Sequence, residues 1–573
     1  MRKFSALYRN EITKVVHKPL YIVFVALTVV SMLFAGLVLK LDISAGYRDN
    51  GNPQMYDIEI ENLENDLKIY IEDFKQNASD MEKKLVQEYL NGDGTVDDER
   101  YNNELGFNYG LVQFIPDSLA WPLGRIEYLK VLKEYFPDSQ EKNLFNLGIV
   151  GISTLDSSSK LHFLNDTATR LSAITASERY EQIKADVFKD CPHALEYFDI
   201  YTIDLTTSGI APETYPGEKE KLKEILRESD FSVYIDAMNE QVKKDESLTE
   251  EQKKIKLEGN DLLRKAYRNN MSQQSWNELN EKLGMLSNYK IQLNAGKADS
   301  GRKYTADEIK NLELQISEIT LGISKRASGF GGNQTGEEAS RVGMIASVGA
   351  SIAQIALIML GGMIIAEEIQ TGSIKTLIIA PVKRRKIVGA KFAMLVTFAL
   401  VEALIVFLTL MLVCAVFGFG FAKHVFVLGG SSHAMNTVLF YLLYILLSFS
   451  EAFFAGCFAF MLSALFRNAG AAIALSMVGT FVLGESVNAI RLMGEDSIII
   501  KHLYEVLPPA NFQLQEKVFA TTLQSESTDF FAILNGNFGI NGNSLTVSAI
   551  YVAVFIVLFV FTAFQSFNKR DIK

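Results

Sequence analysis

Two apolar stretches, Val342–Ala366 and Phe392–Phe417, follow one another with only the charged segment Glu367–Lys391 between them. Each exceeds the roughly 20 residues that carry a helix across a bilayer. Few folds are open to such a chain. Inside hydrocarbon every backbone N–H and C=O must be satisfied within the protein, which for segments of this length leaves helices. Similar stretches recur at Leu20–Leu39, at about Asn436–Leu465, at about Ala469–Ala489 and at Leu545–Phe564. The chain therefore reads as an α-helical polytopic membrane protein with six transmembrane helices.

Composition needs dividing before it informs. The net charge of −11 over 573 residues would describe an ordinary acidic protein. Between Leu41 and Arg341, however, there are 54 acidic and 36 basic residues, and the remainder holds 13 acidic and 20 basic. Residues 41–341 thus form a polar, acidic insert between the first and second spans, far longer than an independent core requires. The basic remainder is membrane-embedded. Starting from an inside amino terminus, six crossings return the carboxyl terminus to the inside. This assignment puts 15 of those 20 basic residues on the cytoplasmic face, including Lys383–Lys386, Arg467, Lys569, Arg570 and Lys573. That is the bias short cytoplasmic loops show. The expected location is the plasma membrane, with both termini cytoplasmic, 41–341 extracellular and 492–543 a second extracellular segment.

Within residues 1–40, Arg2, Lys3, Arg9, Lys14 and Lys18 accompany Phe4, Leu7, Tyr8, Ile12, Val15 and Val16 at helical spacing. This pattern predicts an interfacial amphipathic helix, ended before Pro19 and followed by the first span. A cleaved secretory signal would carry a shorter apolar run.

The insert reads mainly as helix. Leu63, Leu67, Ile71 and Phe74 keep one face, as do Ile309, Leu312, Ile316, Ile319 and Ile323. Thr249 with Gln252, and Thr305 with Glu308, have capping-box spacing. Sustained heptads are absent, so these stripes read as core rather than coiled coil. Residues 91–216 are richer in Gly, Pro, Asp and Ser and leave room for loops and a few strands. Ser328–Glu338 reads as a flexible joint. Its Gly331 and Gly336 have the spacing of a phosphate-binding loop, but Glu337 and Glu338 stand where Lys and Ser or Thr are required. The chain is therefore not expected to hydrolyse ATP by itself.

The loop Glu367–Lys391 has a pattern of its own. Two acids open it. Ile374, Leu377 and Ile378 form a short apolar face, Pro381 stops it, and Lys383, Arg384, Arg385 and Lys386 follow. The Thr-Gly step, the Leu-Ile-Ile-Ala-Pro run, the basic cluster and a Lys at the next span resemble the cytoplasmic loop of ABC-2 type transporter permeases. The resemblance covers the first helix and residues 342–573, and does not cover the insert. It implies that the loop contains a coupling helix docked on a separate ABC ATPase subunit, which binds the ATP. Glu367, Glu368, Gly372, Ile374, Leu377, Ile378, Pro381 and Lys391 would carry that coupling. It also implies a second permease copy, or a homologous permease, as partner, surrounded by membrane lipids. No nucleic-acid partner, catalytic residue, metal site or cofactor of the chain's own is expected.

Three carboxylates, Glu402, Glu451 and Glu485, fall inside spans. Ionisable groups at that depth face a partner or a wet cavity. They either bind a cation or proton along a polar pathway, or hold helices together by hydrogen bonds. Gly361, Gly362, Gly418, Gly420, Gly429, Gly430, Gly456 and Gly470 read as sites of close helix packing. Three functions stay open within the resemblance: export of an amphipathic peptide or lipid-like substrate, a non-transporting sensing or mechanotransmission subunit working the extracellular domain, and cation extrusion.

Overall fold

The computed structural model describes the chain except residues 1, 46–47, 50–53, 93–96, 98–108, 137–140, 144–152, 156–161, 199–214, 270, 298–301, 374–381, 483–506, 513, 520, 522–544 and 570–573. Contact density divides it into Met1–Ile43 with Asn277–Lys573, and Ser44–Trp276.

The first unit is built on helices. Helix α1 (Arg2–Val16) leads, across a turn at Lys18, into α2 (Pro19–Ala45). Pro19 fits there because the first helical residue needs no N–H partner. Five helices are long and apolar enough to cross a membrane: Pro19–Lys40, Gly336–Gln370, Arg384–Phe417, Thr437–Phe466 and Leu545–Lys569. The chain is an α-helical membrane protein. The segment expected as a further span at 469–489 is a shorter apolar helix over Ala469–Phe481. Its continuation beyond Val482 lies outside the described residues, as does most of 492–543.

Helix α12 (Gly336–Met363) packs along α15 (Thr437–Phe466), and glycine makes the approach possible. A Cβ on Gly361 would lie 2.4 Å from the Gly456 carbonyl oxygen. Small residues at such crossings let dispersion contacts replace the hydrophobic drive that lipid removes. Not every glycine singled out above works this way. Gly429 and Gly430 have φ of 63° and 78° and form the two-residue turn between strands β4 (His424–Leu428) and β5 (Ser431–Met435). Positive φ at both turn positions matches the twist of a hairpin, and only glycine adopts it without strain. Gly418, at φ 69°, ends α14 (Arg384–Phe417).

The expected flexible joint at Ser328–Glu338 is a hydrogen-bonded turn. Ser328 N–H donates to the Lys423 carbonyl, Gly332 N–H to that of Ala327, and Gly336 N–H to Glu278 Oε1 at 2.9 Å. Ala327, Gln334 and Thr335 are buried. Thr335 and Glu338 form a capping box at the start of α12. The acids that disqualify a phosphate loop thus stabilise a helix N-terminus, where negative charge is favoured. Composition marked this turn as loose because Gly and Ser are common in linkers, whereas here they supply positive φ and close contact. Upstream, α11 (Ala306–Lys325) begins at the Thr305–Glu308 capping box, buries Leu312, Ile319 and Ile323, and packs on the hairpin.

The second unit is a helical domain with its own core. Helices α3 (Gln54–Lys84), α4 (Tyr109–Tyr135) and α5 (His162–Val187) bury Leu63, Leu67 and Phe74 against Leu123, Ile126, Leu129 and Tyr180. The stripe read from the sequence is the one that packs, with Ile71 half-buried beside it. The Thr249–Gln252 capping box opens α9 (Glu250–Ala266). The described residues between 91 and 216 are mostly helical. Strands β2 (Glu141–Asn143) and β3 (Ser153–Leu155) join β1 (Arg48–Asp49) in a small antiparallel sheet, order β1–β2–β3. Phe163, Phe231, Tyr234, Tyr267 and Trp276 pack as an aromatic cluster, and Trp276 Nε1 donates to Asp166 Oδ2 at 2.7 Å. Cys191, Cys414 and Cys457 are free and buried.

The α12–α15 contact is testable. Gly361→Ala should destabilise the detergent-solubilised protein by about 1–3 kcal/mol, because one methyl forces two backbones apart. Gly343→Ala, on the same helix with nothing within 4 Å, should be neutral. Survival of the monodisperse peak after heating measures both, and equal survival of the two variants refutes the packing argument.

Candidate functional site

The site expected from sequence lies at the end of α12, the start of α14, and the segment joining them. After α12, Ala366–Gln370 makes one short turn, α13, with Glu367 and Glu368 in it. Gly372 follows with φ 73°. Ile374, Leu377, Ile378 and Pro381 lie outside the described residues. Lys391 sits two turns into α14 and is 1% exposed.

What fills the space around these residues is α1. Lys391 Nζ donates to Glu11 Oε2 at 2.9 Å and makes an ionic contact to Glu368 Oε2 at 2.8 Å that lacks hydrogen-bond alignment. Lys14 Nζ reaches Glu368 Oε1 at 2.7 Å and Glu11 Oε1 at 3.3 Å. Lys18 pairs with Glu367. Glu11, Lys14, Glu368 and Lys391 therefore interlock, Lys18 and Glu367 form a separate pair, and the formal charges cancel within each group. Burial works against the Lys14 ammonium, but its hydrogen bond to Glu368 and the charges of Glu11 and Glu368 outweigh it, so its pKa lies above the ordinary lysine value.

The rest of the α1 face explains why it stays there. Val15 is buried, Tyr8 and Ile12 are half-buried against the helical core, and the Tyr8 hydroxyl shares a hydrogen bond with Thr397 Oγ1 at 2.7 Å. The helix expected to lie in the membrane interface packs along α14. Glu11 is the residue that reading the apolar pattern missed. Its signal was available: an acid three residues after Tyr8 and four before Val15, inside the buried stripe. Beside the cluster opens a cavity of ≈ 320 Å³, edged by Lys14, Lys18 and Glu367 and floored by Phe24, Met359 and Phe398.

Of the three membrane carboxylates, Glu402 and Glu451 lie among the described residues. Glu402 is fully buried in α14, and neither oxygen has a hydrogen-bond partner among the described residues. Glu451, in α15, accepts from Gln354 Nε2 at 3.5 Å. It acts electrostatically on Glu516, in the short helix Leu514–Val518, whose carboxyl is pushed up to about 7, first by burial and then by Glu451. Glu485 lies outside the described residues. Among the described residues no group of three His, Cys, Asp or Glu side chains is placed to hold a metal ion.

Residues 331–573, less than half of the chain, match a family described as "Protein of unknown function (DUF2705)". The chain is also similar to "Uncharacterized protein YhcI" of Bacillus subtilis (strain 168), 28% identical over 220 residues, which cover 38% of this chain and 63% of that protein. Neither description states an activity. The matched family region contains α12, the loop and α14, and leaves out Glu11, Lys14 and Lys18.

The ion cluster predicts a sharp asymmetry among variants. Lys391→Met leaves Glu11 and Glu368 with Lys14 as their one shared counter-charge, so one buried carboxylate charge is uncompensated, and it should cost about 3–5 kcal/mol. Combining it with Glu11→Gln alone keeps the Lys14–Glu368 pair, removes the uncompensated charge and should restore most of the loss. Thermal survival of the solubilised protein reads this out. A single variant as stable as the wild type would show that the cluster does not hold α1.

Proposed function

We propose that the chain is the permease subunit of an ABC transporter, exporting an amphipathic peptide or lipid-like substrate and driven by a separate ATPase. The observation that carries this reading is the bracing of the loop between α12 and α14. Glu368 at its start and Lys391 at its end are tied to the same amino-terminal helix, and Glu367 pairs with Lys18 in the turn after it. A loop held at both ends passes a displacement into the two spanning helices instead of absorbing it. The apolar face of Ile374, Leu377 and Ile378, the basic residues after it and the resemblance of the loop to a coupling segment supply the rest. Its two acids are engaged within the chain, so docking rests on the apolar face and not on Glu367 or Glu368.

In this reading both termini and the loop are cytoplasmic, and 41–341 and 492–543 are extracellular. Six crossings are completed by the segment that begins at Ala469. A second permease copy and two ATPase subunits make up the transporter, and the ATP is bound by the ATPases. Glu402 supplies a second reading, cation or proton passage, because a fully buried carboxylate with no hydrogen-bond partner among the described residues is costly unless it serves a transported charge. Glu402→Gln separates the two: it should abolish transport if charge movement is obligatory and leave it intact if export is driven by ATP alone.

Two measurements test the main reading. In a cysteine-free background, an impermeant thiol reagent added to intact cells should label Glu250→Cys, whose side chain is 92% exposed, and spare Lys383→Cys. The opposite pattern overturns the topology. Leu377→Asp should release a co-expressed cognate ATPase during purification, since an apolar anchor at a small interface typically contributes on the order of 2 kcal/mol or more. Undiminished recovery of the ATPase would mean that this loop is not the coupling surface.

A further inference from the structure

A second cavity, ≈ 460 Å³, lies between the start of α14 and the end of the last membrane helix, α18 (Leu545–Lys569). Its wall is graded. Arg385, Gln565 and Asn568 line one end, and Phe392, Val557, Phe561 and Phe564 line the remainder. The two helices run antiparallel, so the first residues of α14 and the last of α18 share one membrane surface. Among the described residues, Arg385, Gln565 and Asn568 have no ionic or hydrogen-bonding side-chain partner. Arg385 is exposed, and Phe561 is 59% exposed. The polar end therefore offers five guanidinium donors and two amides to an outside group. The apolar part opens towards lipid.

Length decides what fits. From Ile556 to Asn568, at 1.5 Å per helical residue, the groove runs about 18 Å. One leaflet contributes about half of the roughly 30 Å hydrocarbon core, and a headgroup adds several ångströms more. The groove is thus one leaflet deep, polar where headgroups lie and aromatic and aliphatic where acyl chains lie. Among the described residues, the groove is lined by one charged side chain, Arg385, and no acid; its neighbours in sequence Lys386 and Lys569 are exposed. This differs from the cavity beside α1, where the lysines are already matched by glutamates.

We infer that the α14–α18 groove is a binding site for an anionic phospholipid. Arg385 engages the phosphate, Gln565 and Asn568 donate to headgroup oxygens, and one acyl chain lies along Phe392, Val557 and Phe561. The bidentate fit of a guanidinium to phosphate makes arginine more selective here than a lysine would be. The inference requires only that these two helices cross a membrane. It stands whether or not the chain is a permease.

The test uses the full-length protein in vesicles. Phe561→Trp places a fluorophore in the groove, and the parent protein provides the background from Trp121 and Trp276, both in the other unit. Quenching is compared between vesicles containing dibrominated phosphatidylglycerol and dibrominated phosphatidylcholine. The groove predicts a steeper response to phosphatidylglycerol. Arg385→Gln in the reporter protein should reduce that preference on the order of fivefold, the scale for one cation at an anionic surface. Lys569→Gln, a cation at the same surface but outside the groove lining, should keep it. Because Arg385 and Lys569 are both exposed, each variant is expected to fold, and a monodisperse elution profile checks this. Equal quenching by the two lipids in the reporter overturns the site. So does an unchanged preference in Arg385→Gln. Equal losses in Arg385→Gln and Lys569→Gln would assign the preference to diffuse surface charge and also overturn it.

Discussion

Lys391 has no water to turn to. At 1% exposure its ammonium is held by Glu11 and Glu368, and the arrangement of α1, α13 and α14 follows from that need. A buried cation in a membrane helix is tolerable only with a counter-charge close by. One carboxylate would balance it, and the second is shared with Lys14. The neutral cluster of Glu11, Lys14, Glu368 and Lys391 contributes little net stability over an apolar equivalent, since desolvation offsets attraction in buried pairs. What it contributes is position. An apolar helix face could slide along α14, whereas Glu11 meets Lys391 at one register only.

Close backbone contact does comparable work where no charges are present. Gly361 against Gly456 sets the α12–α15 crossing through shape alone. In lipid there is no apolar surface to hide from water, so packing density and a few polar contacts decide which helices are neighbours. Ser463 fits the same logic: its hydroxyl accepts from Ala366 N–H at 2.9 Å, where α12 gives way to α13 and backbone donors are freed. The loop region is thus tied to α15 as well as to α1.

At the opposite end of α12 the chain spends its glycines on turns. The hairpin at 424–435 and the buried turn before α12 join the polar helix α11 to the membrane helices by hydrogen bonds. The two-residue Gly429-Gly430 turn and the Thr335–Glu338 cap are short-range devices. Each is legible in sequence once the right alternative, turn or cap rather than helix packing or flexible linker, is weighed. The Gly-rich composition was read as looseness because composition counts residues and does not see the partners of their amides.

Local runs of sequence determined which parts of this protein are membrane helices, where the capped helices begin and which face of α3 is buried. Each depends on residues within a few turns of one another, so hydropathy, spacing and capping chemistry decide it. Tertiary structure alone decided that Glu11 meets Lys391, 380 positions away, that Gly361 meets the carbonyl of Gly456, and that Arg385 shares a groove with Asn568. The physical reason is the same in each case. A helix has several faces, its sequence marks which residues share one, and only packing chooses what that face will touch.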